Sequence, residues 1–305
     1  MIKSLTIFCF IFNCLVCCHS KQPSNAKIII NKNNPTDTLR LNEDNEAIVI
    51  DTIYQIPHYK GDVTVYVQKH TAKKCNGTLV LLPGWNFPAL DWCYKTDFCT
   101  KVKAEGYNLI MPEMKKSMYA NHAFKETRFD LKHVLSRIWF KDTLVVFFQK
   151  HANVLMSDQM NGICGISSGA RGAALIANDL PEIFKVAVAL SGDFNPSILQ
   201  SDNLMNLFYG KFATYHKRWI ANDNVYSSAS IFRVPIFLLH GNKDNVVSVK
   251  QSTTFYNELK RINPKLKVKL EVDSLAAHNY DYWGKQTQKI ISFINEIQQN
   301  RTNIH

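Results

Sequence analysis

The sequence predicts an α/β fold with a mostly parallel central sheet and helices on both of its faces. Five short runs are apolar on both sides of the backbone, as buried parallel strands require. They are TLVLLPG, YNLIMPE, NGICGIS, VAVALSG and VPIFLLHG. Stretches with apolar residues at helical spacing separate them. This alternation of strand and helix is typical of a sheet that is covered on both faces.

Other elements extend this core. AIVIDTIYQI and DVTVYVQK, near the start, predict an antiparallel strand pair, because the second alternates with period two. Asp130 is predicted to cap a helix whose buried face comprises Leu131, Val134, Leu135, Ile138 and Trp139. A last helix is predicted around Ile290, Phe293, Ile294 and Ile297. We expect residues 196–230 to form a small helical insertion over the carboxyl edge of the sheet, where active-site walls are often built.

The first 20 residues have the layout of a secretory signal peptide. Lys3 precedes an apolar run from Leu5 to Cys18, and small and polar residues follow it. Cleavage after Ser20 would export the protein to a periplasmic or extracellular location. An alternative is that LVCC is a lipoprotein signal, with Cys18 acylated and the protein anchored to a membrane. Residues 21–45 are predicted to form a flexible N-terminal segment, and residues 46–300 a single α/β domain.

Four cysteines follow the predicted signal peptide: Cys75, Cys93, Cys99 and Cys164. An oxidising compartment would permit them to pair. Cys93 and Cys99 are six positions apart, so in a continuous helix they would point about 240° apart. A bridge between them would need a break in the helix, and it is not the favoured expectation. None of the four cysteines has the doubled CxxC spacing of a zinc site, and no metal is predicted.

The chain carries a formal charge of +11. The predicted signal peptide holds one lysine and no acid, so its removal leaves a charge of +10. This balance suits anionic surfaces or polysaccharides. The lysines are scattered, however, and the sequence has no basic helix or interleaved aromatic platform of the kind that binds nucleic acid. No nucleic-acid partner is therefore predicted.

The stretch GICGISSGA places Ser167 at the junction between a buried strand and a helix. Gly165 and Gly169 lie two positions before and after it, where side chains would collide as strand and helix converge. A sharp turn of this kind exposes a serine hydroxyl, and the helix start directs the N–H of Ser168 at the same point. The spacing predicts a nucleophilic serine.

A serine nucleophile needs a base and an acid to orient that base. Asp244 follows the strand VPIFLLHG, and His278 lies in the loop after VKLEVD. GICGISSGA resembles the nucleophile elbow of the α/β-hydrolases, which carry the serine, the acid and the histidine in this chain order. The resemblance therefore implies a triad of Ser167, Asp244 and His278. Asp193, in LSGDF, also follows a strand and is the rival acid.

These motifs resemble the nucleophile elbow and triad of the α/β-hydrolases over about residues 78–298. GISSGARGA, ALSGDFNP and YGKF look like the esterase D, feruloyl esterase and dienelactone-hydrolase group. The resemblance implies an α/β-hydrolase fold and an oxyanion hole. Its two donors would be the N–H groups of Ser168 and of Trp85, with Asn86 as the next choice after Trp85. It implies no cofactor, because the triad supplies nucleophile, base and electrostatics.

The predicted function is that of an exported serine carboxylesterase acting on a small-molecule or polysaccharide-linked ester. A serine peptidase of the prolyl-oligopeptidase type is the alternative with the same chemistry. The sequence has neither an amino-terminal propeller nor an obvious acidic pair for an amine, and both observations favour the esterase. A third alternative is a non-catalytic binding protein on a hydrolase scaffold.

Overall fold

A computed structural model describes residues 27–29, 50–221 and 223–302. The predicted signal peptide, the Cys18 anchor and most of segment 21–45 lie outside the described residues. Three residues of that segment, Lys27–Ile29, form strand β1.

Eight further strands follow β1 in the described ranges. They are β2 (Thr52–Ile56), β3 (Val63–Gln68), β4 (Gly77–Leu82), β5 (Tyr107–Pro112), β6 (Asn161–Ile166), β7 (Val186–Leu190), β8 (Ile236–Gly241) and β9 (Val268–Asp273). They join β1 in one sheet with the spatial order β1-β2-β3-β5-β4-β6-β7-β8-β9. The first three strands pair antiparallel, as does β3 with β5, and every later pairing is parallel. The predicted mostly parallel sheet is confirmed.

Ten α-helices accompany these strands in the described part of the chain. They are α1 (Asp91–Tyr94), α2 (Phe98–Ala104), α3 (Arg137–Trp139), α4 (Val146–Ala152), α5 (Ser168–Asp179), α6 (Asn203–Tyr209), α7 (Phe212–Ala221), α8 (Lys250–Ile262), α9 (Tyr280–Lys285) and α10 (Thr287–Thr302). A π-helical stretch, Phe140–Val145, joins α3 to α4. Across the described part of the chain, we find no helix with the length and apolar character needed to span a bilayer.

The core lies on both faces of the sheet. Val80 of β4 packs into a cluster on one face, whereas its neighbours Leu79 and Leu81 pack into a cluster on the other. All three side chains are almost completely buried. Successive side chains of a strand point to opposite faces, so a strand covered by helices on both sides must be apolar throughout. This requirement explains the uninterrupted apolar runs of the sequence.

The predicted helix beginning at Asp130 is wrong. Residues Phe129–Leu131 form a single 3-10 turn, and Asp130 pairs with Arg128 rather than capping a helix. The helix begins at Arg137, where the Ser136 hydroxyl oxygen accepts a hydrogen bond from the N–H of Trp139. Leu131 packs in one apolar cluster and Leu135 and Trp139 pack in another, and Ile138, predicted to be buried, is 44% exposed. Apolar spacing that continues across a turn resembles the spacing of one helix, so periodicity alone did not separate the two elements.

Cys93 and Cys99 form a disulfide, with their Cα atoms 5.1 Å apart. Helix α1 ends at Tyr94 and α2 begins at Phe98, so the chain supplies the helix break that a bridge needs. The expectation of an unbridged pair is therefore wrong. Cys75 is free and exposed, and Cys164 is free and buried in β6.

The segment between β7 and β8 is helical, as predicted, and contains α6 and α7. Phe208 and Trp219 of these helices share an apolar cluster with Met118, and Trp85 packs against the same cluster. Because Trp85 follows β4 and Met118 follows β5, this insertion lies against the loops at the carboxyl edge of the sheet.

Candidate active site

Ser167 occupies a sharp turn between β6 and α5. Its φ and ψ are +55° and −126°, a left-handed conformation that costs a non-glycine residue energy. Its N–H donates to the carbonyl oxygen of Leu190 in β7, 2.9 Å away. The neighbouring strand thus holds the turn in place, and the serine remains partly exposed to solvent.

The two flanking glycines make this turn sterically feasible. A Cβ on Gly165 would lie 2.0 Å from the carbonyl oxygen of Gly169. A Cβ on Gly169 would lie 2.4 Å from the carbonyl oxygens of both Leu82 and Pro83. These contacts are with backbone atoms, which cannot rotate away. The predicted steric role of both glycines is present in the structure.

Ser167, His278 and Asp244 form a continuous hydrogen-bonded chain. The Ser167 Oγ lies 3.0 Å from the His278 Nε2, and the His278 Nδ1 lies 2.7 Å from the Asp244 Oδ2. The Asp244 side chain is fully buried, and that of His278 is 6% exposed. An imidazole in this arrangement can accept the proton of the serine hydroxyl while the carboxylate holds the opposite ring nitrogen.

The carboxylate of Asp244 is surrounded by donors. Its Oδ1 accepts hydrogen bonds from the backbone N–H groups of Val246 and Val247, at 2.9 and 2.8 Å. Its Oδ2 faces His278 and, at 3.3 Å, the Nε2 of His240. Burial alone would raise the pKa of Asp244. Hydrogen bonds from the two imidazoles and from one backbone N–H outweigh burial, and the pKa lies well below its usual value.

The rival acid, Asp193, has a different partner. Its Oδ2 lies 2.6 Å from the Nη1 of Arg171, whose side chain is completely buried. The Nη2 of Arg171 also donates to the carbonyl oxygen of Met118, at 2.8 Å. Asp193 therefore neutralises a buried cation, and it is Asp244 that accepts the hydrogen bond from His278.

The loop after β4 approaches Ser167 closely. A Cβ on Gly84 would lie 3.2 Å from the Cβ of Ser167. The N–H of Asn86 donates to the carbonyl oxygen of Lys115, at 2.8 Å, so it is already engaged. Among the described residues, no backbone carbonyl oxygen accepts a hydrogen bond from the N–H of Trp85, whereas the N–H of Asn86 is engaged.

Comparison with known proteins gives the family. The model of the prolyl oligopeptidase family matches residues 100–301, about two thirds of the chain. The chain belongs to the prolyl oligopeptidase family. It is therefore a serine hydrolase with an α/β-hydrolase fold, and the predicted resemblance to that superfamily is confirmed. A serine peptidase of the prolyl-oligopeptidase type is the function that the sequence predicted as the alternative to a carboxylesterase. None of the curated proteins compared with the chain matches its sequence.

Solved structures similar to this family member include both esterase-type hydrolases and peptidases. An S-formylglutathione hydrolase from Agrobacterium tumefaciens has a TM-score of 0.65 and 17% identity, over 81% of this chain and 95% of that one. MPT51 from Mycobacterium tuberculosis has a TM-score of 0.63 and 14% identity, over 79% and 97% of the two chains. An acylaminoacyl peptidase from Pyrococcus horikoshii has a TM-score of 0.59 and 15% identity, over 80% of this chain but 41% of the peptidase. At these identities the similarity establishes the fold alone.

Five aromatic side chains close to the loops of the site are packed in the interior. Trp92, Tyr209, Trp219, Tyr282 and Trp283 are all nearly or fully buried. Trp283 packs edge-on against the His278 ring, with the ring centroids 5.0 Å apart. Trp283 therefore supports the His278 ring.

Sequence reasoning missed one contact of the site. His240 is buried in the core, and sequence reasoning did not predict its contact with Asp244. A signal exists in the sequence, since the two residues are four positions apart around the end of β8. No cluster of three or more His, Cys, Asp or Glu suited to a metal ion occurs among the described residues.

Proposed function

We propose that this family member is an exported serine carboxylesterase that works through an acyl-enzyme. The observation that carries the proposal is the 3.0 Å separation of the Ser167 Oγ and the His278 Nε2, with Asp244 on the opposite ring nitrogen. Ser167 would attack the ester carbonyl while His278 takes its proton. His278 would then protonate the leaving alcohol and activate water for deacylation.

The oxyanion formed in each step would be held by two backbone N–H groups. Ser168 begins α5, so its N–H points out of the helix start and carries the positive end of the helix dipole. The N–H of Trp85 would come from the opposite side, from the loop that Gly84 brings against Ser167. Removal of one such donor typically lowers kcat by about 10²- to 10³-fold.

We propose that a groove next to this loop, which none of the triad residues lines, holds the polar part of an ester substrate, either a small molecule or one attached to a polysaccharide. The groove has a volume of about 300 Å³, and Asn86, Lys115 and Lys116 line one side of it. The turn between β2 and β3 and the residues around His133 line the other side. Amide, ammonium and imidazole groups offer hydrogen bonds to hydroxyl or anionic groups of a substrate.

Export is proposed from the predicted signal peptide, and the disulfide between Cys93 and Cys99 supports it. Disulfides form and persist in oxidising compartments such as the periplasm and the extracellular space. The lipid anchor at Cys18 is the alternative form of the same proposal. Mass spectrometry of the protein from its native membrane and culture fractions would distinguish a cleaved N-terminus from an acylated one.

Hydrolysis of p-nitrophenyl esters of increasing acyl length, beside amino-acyl p-nitroanilides, tests the main proposal. We expect turnover of the short acyl esters, and loss of turnover in Ser167→Ala. Ser292→Ala is the matched control, because that serine is exposed on α10. Faster turnover of the anilides would favour the second candidate, a serine peptidase, which the family match supports. Folded protein that neither turns over substrate nor reacts with a fluorophosphonate probe would instead be the non-catalytic binding protein.

A further inference from the structure

We propose that His240 is a positioning residue that holds the Asp244 carboxylate toward His278. The inference rests on the proposed catalytic role of Asp244. His240 is the last residue but one of β8, and its side chain is fully buried. Its Nε2 lies 3.3 Å from the Asp244 Oδ2, the same oxygen that faces His278. Two imidazoles therefore share one carboxylate oxygen.

The partners of His240 fix its protonation and its orientation. The Nε2 lies 2.9 Å from the carbonyl oxygen of Val247, which can only accept a hydrogen bond. The proton of the neutral ring is therefore on Nε2, where it also faces Asp244. The Nδ1 lies 2.7 Å from the Ser252 Oγ and accepts its hydroxyl proton. With both ring nitrogens engaged, the ring cannot turn without breaking two hydrogen bonds.

His240 also fixes the loop that carries Asp244. Val247 accepts from the His240 ring through its carbonyl oxygen and donates to the Asp244 Oδ1 through its N–H. Two hydrogen bonds thus link the ring, the loop backbone and the carboxylate, and the 3.3 Å contact between the His240 Nε2 and the Asp244 Oδ2 closes the set. Loss of the imidazole would free the loop and leave His278 as the remaining side-chain donor to Asp244. The carboxylate would gain freedom, and more of its charge would act on His278.

This redistribution of charge has a measurable effect that a purely structural role of His240 would not produce. A donor on the Oδ2 draws negative charge away from His278, so its loss should stabilise protonated His278. The acidic limb of the pH profile of kcat/KM should then move to higher pH. Other ionisable groups also face this cluster, namely Asp193 after β7 and Tyr282 on α9, and they stay unchanged in the variants below.

The pair His240→Gln and His240→Asn separates the two functions of the ring. A Gln amide can place an N–H near the position of Nε2, toward Asp244. An Asn amide is shorter and reaches only the Ser252 side. We expect H240N to lower kcat for a p-nitrophenyl ester by about tenfold or more, with KM unchanged and the acidic limb moved to higher pH. We expect H240Q to keep most of the wild-type kcat, with the acidic limb of its pH profile at the wild-type pH.

Leu238→Val is the matched control, because Leu238 is fully buried on the same strand and points to the same side of it. It should lower Tm and leave the pH profile unchanged. Equal losses of kcat in H240N and H240Q, or an unchanged acidic limb in H240N, would overturn the proposal. Loss of the fold in either variant would assign His240 to packing alone and would overturn it as well.

An experiment without turnover keeps the proposal separate from the proposed function. In Ser167→Ala protein, NMR can follow the titration of His278 with and without H240N. We expect the titration midpoint to be higher with H240N, whatever the enzyme hydrolyses. Wild-type protein that hydrolyses no ester would overturn the esterase proposal. An unchanged midpoint in H240N would overturn the positioning role.

Discussion

The guanidinium of Arg171 and the carboxylate of Asp193 meet 2.6 Å apart in the interior, one from helix α5 and the other from the loop after β7. The Arg171 side chain is completely buried and that of Asp193 is 9% exposed. A buried charge is tolerated when it is paired and hydrogen-bonded. Arg171 lies on the helix that follows the proposed nucleophile, and its pairing gives Asp193 a structural role.

Asp193→Asn should destabilise the fold without removing the chemistry. The substitution leaves the buried Arg171 charge without its counter-ion, so we expect the free energy of unfolding to fall by about 3 kcal/mol or more. Urea denaturation measures this loss. Below the unfolding transition, labelling of Ser167 by a fluorophosphonate should continue at a rate near that of the wild type. Loss of labelling in fully folded D193N would show that Asp193 takes part in the reaction.

Asp244→Asn should remove most of the catalytic activity and leave the fold intact. The amide cannot fix His278 in the required tautomer, and we expect kcat to fall by about 10³- to 10⁴-fold with the fold retained. Steady-state ester hydrolysis and circular dichroism together check this. D193N is the natural comparison, since each variant changes one of the two candidate acids. If D244N kept more than about a tenth of kcat, another group would be orienting His278.

The pKa of Asp244 predicts a specific dependence of stability on pH. It is lowered in the folded protein, so the charged carboxylate stabilises the fold above its unfolded pKa of about 3.9. That contribution is lost as the pH falls through the lower folded value. The difference in unfolding free energy between wild type and D244N should be constant from about pH 8 to 5 and shrink below about pH 4. A difference that grows on acidification would contradict a lowered pKa.

Gly169→Ala should disrupt the turn at Ser167. The new methyl group would lie 2.4 Å from two backbone carbonyl oxygens, those of Leu82 and Pro83. We expect destabilisation of more than about 4 kcal/mol, or no soluble folded protein, by thermal melting. Gly61→Ala is the control. Nothing lies within 4 Å of its Cβ position, and its cost should be limited to the about 1–2 kcal/mol of a positive φ.

The disulfide should contribute measurably to stability. Closing a loop of this length removes unfolded-state entropy worth about 2 kcal/mol, so Cys93→Ala/Cys99→Ala should lose about that much in urea denaturation. A reductant should produce a similar loss in the wild type and none in the double variant. Cys75→Ala removes an exposed free thiol and serves as the control.

The sheet was predictable from the sequence because buried parallel strands need side chains that are apolar on both faces, as in β4 and β6. The order of Ser167, Asp244 and His278 was predictable because each follows a recognisable strand. The start of helix α3 was not predictable, because Leu131 and Trp139 keep helical spacing although a turn separates them. The disulfide was not predictable either, because it needs a helix break between Cys93 and Cys99 that composition does not reveal. The contact of His240 with Asp244 depended on how the chain turns after β8, which periodicity does not describe.

The hydrogen bond from the N–H of Asn86 to the carbonyl oxygen of Lys115 links the loop that bears Trp85 to the loop after β5. The second loop lines the proposed substrate groove, and the first presents the proposed oxyanion donor. This hydrogen bond therefore joins the two proposed parts of the site. We expect substitutions around Lys115 to move the proposed donor at Trp85 as well, so that specificity and turnover would change together in directed evolution.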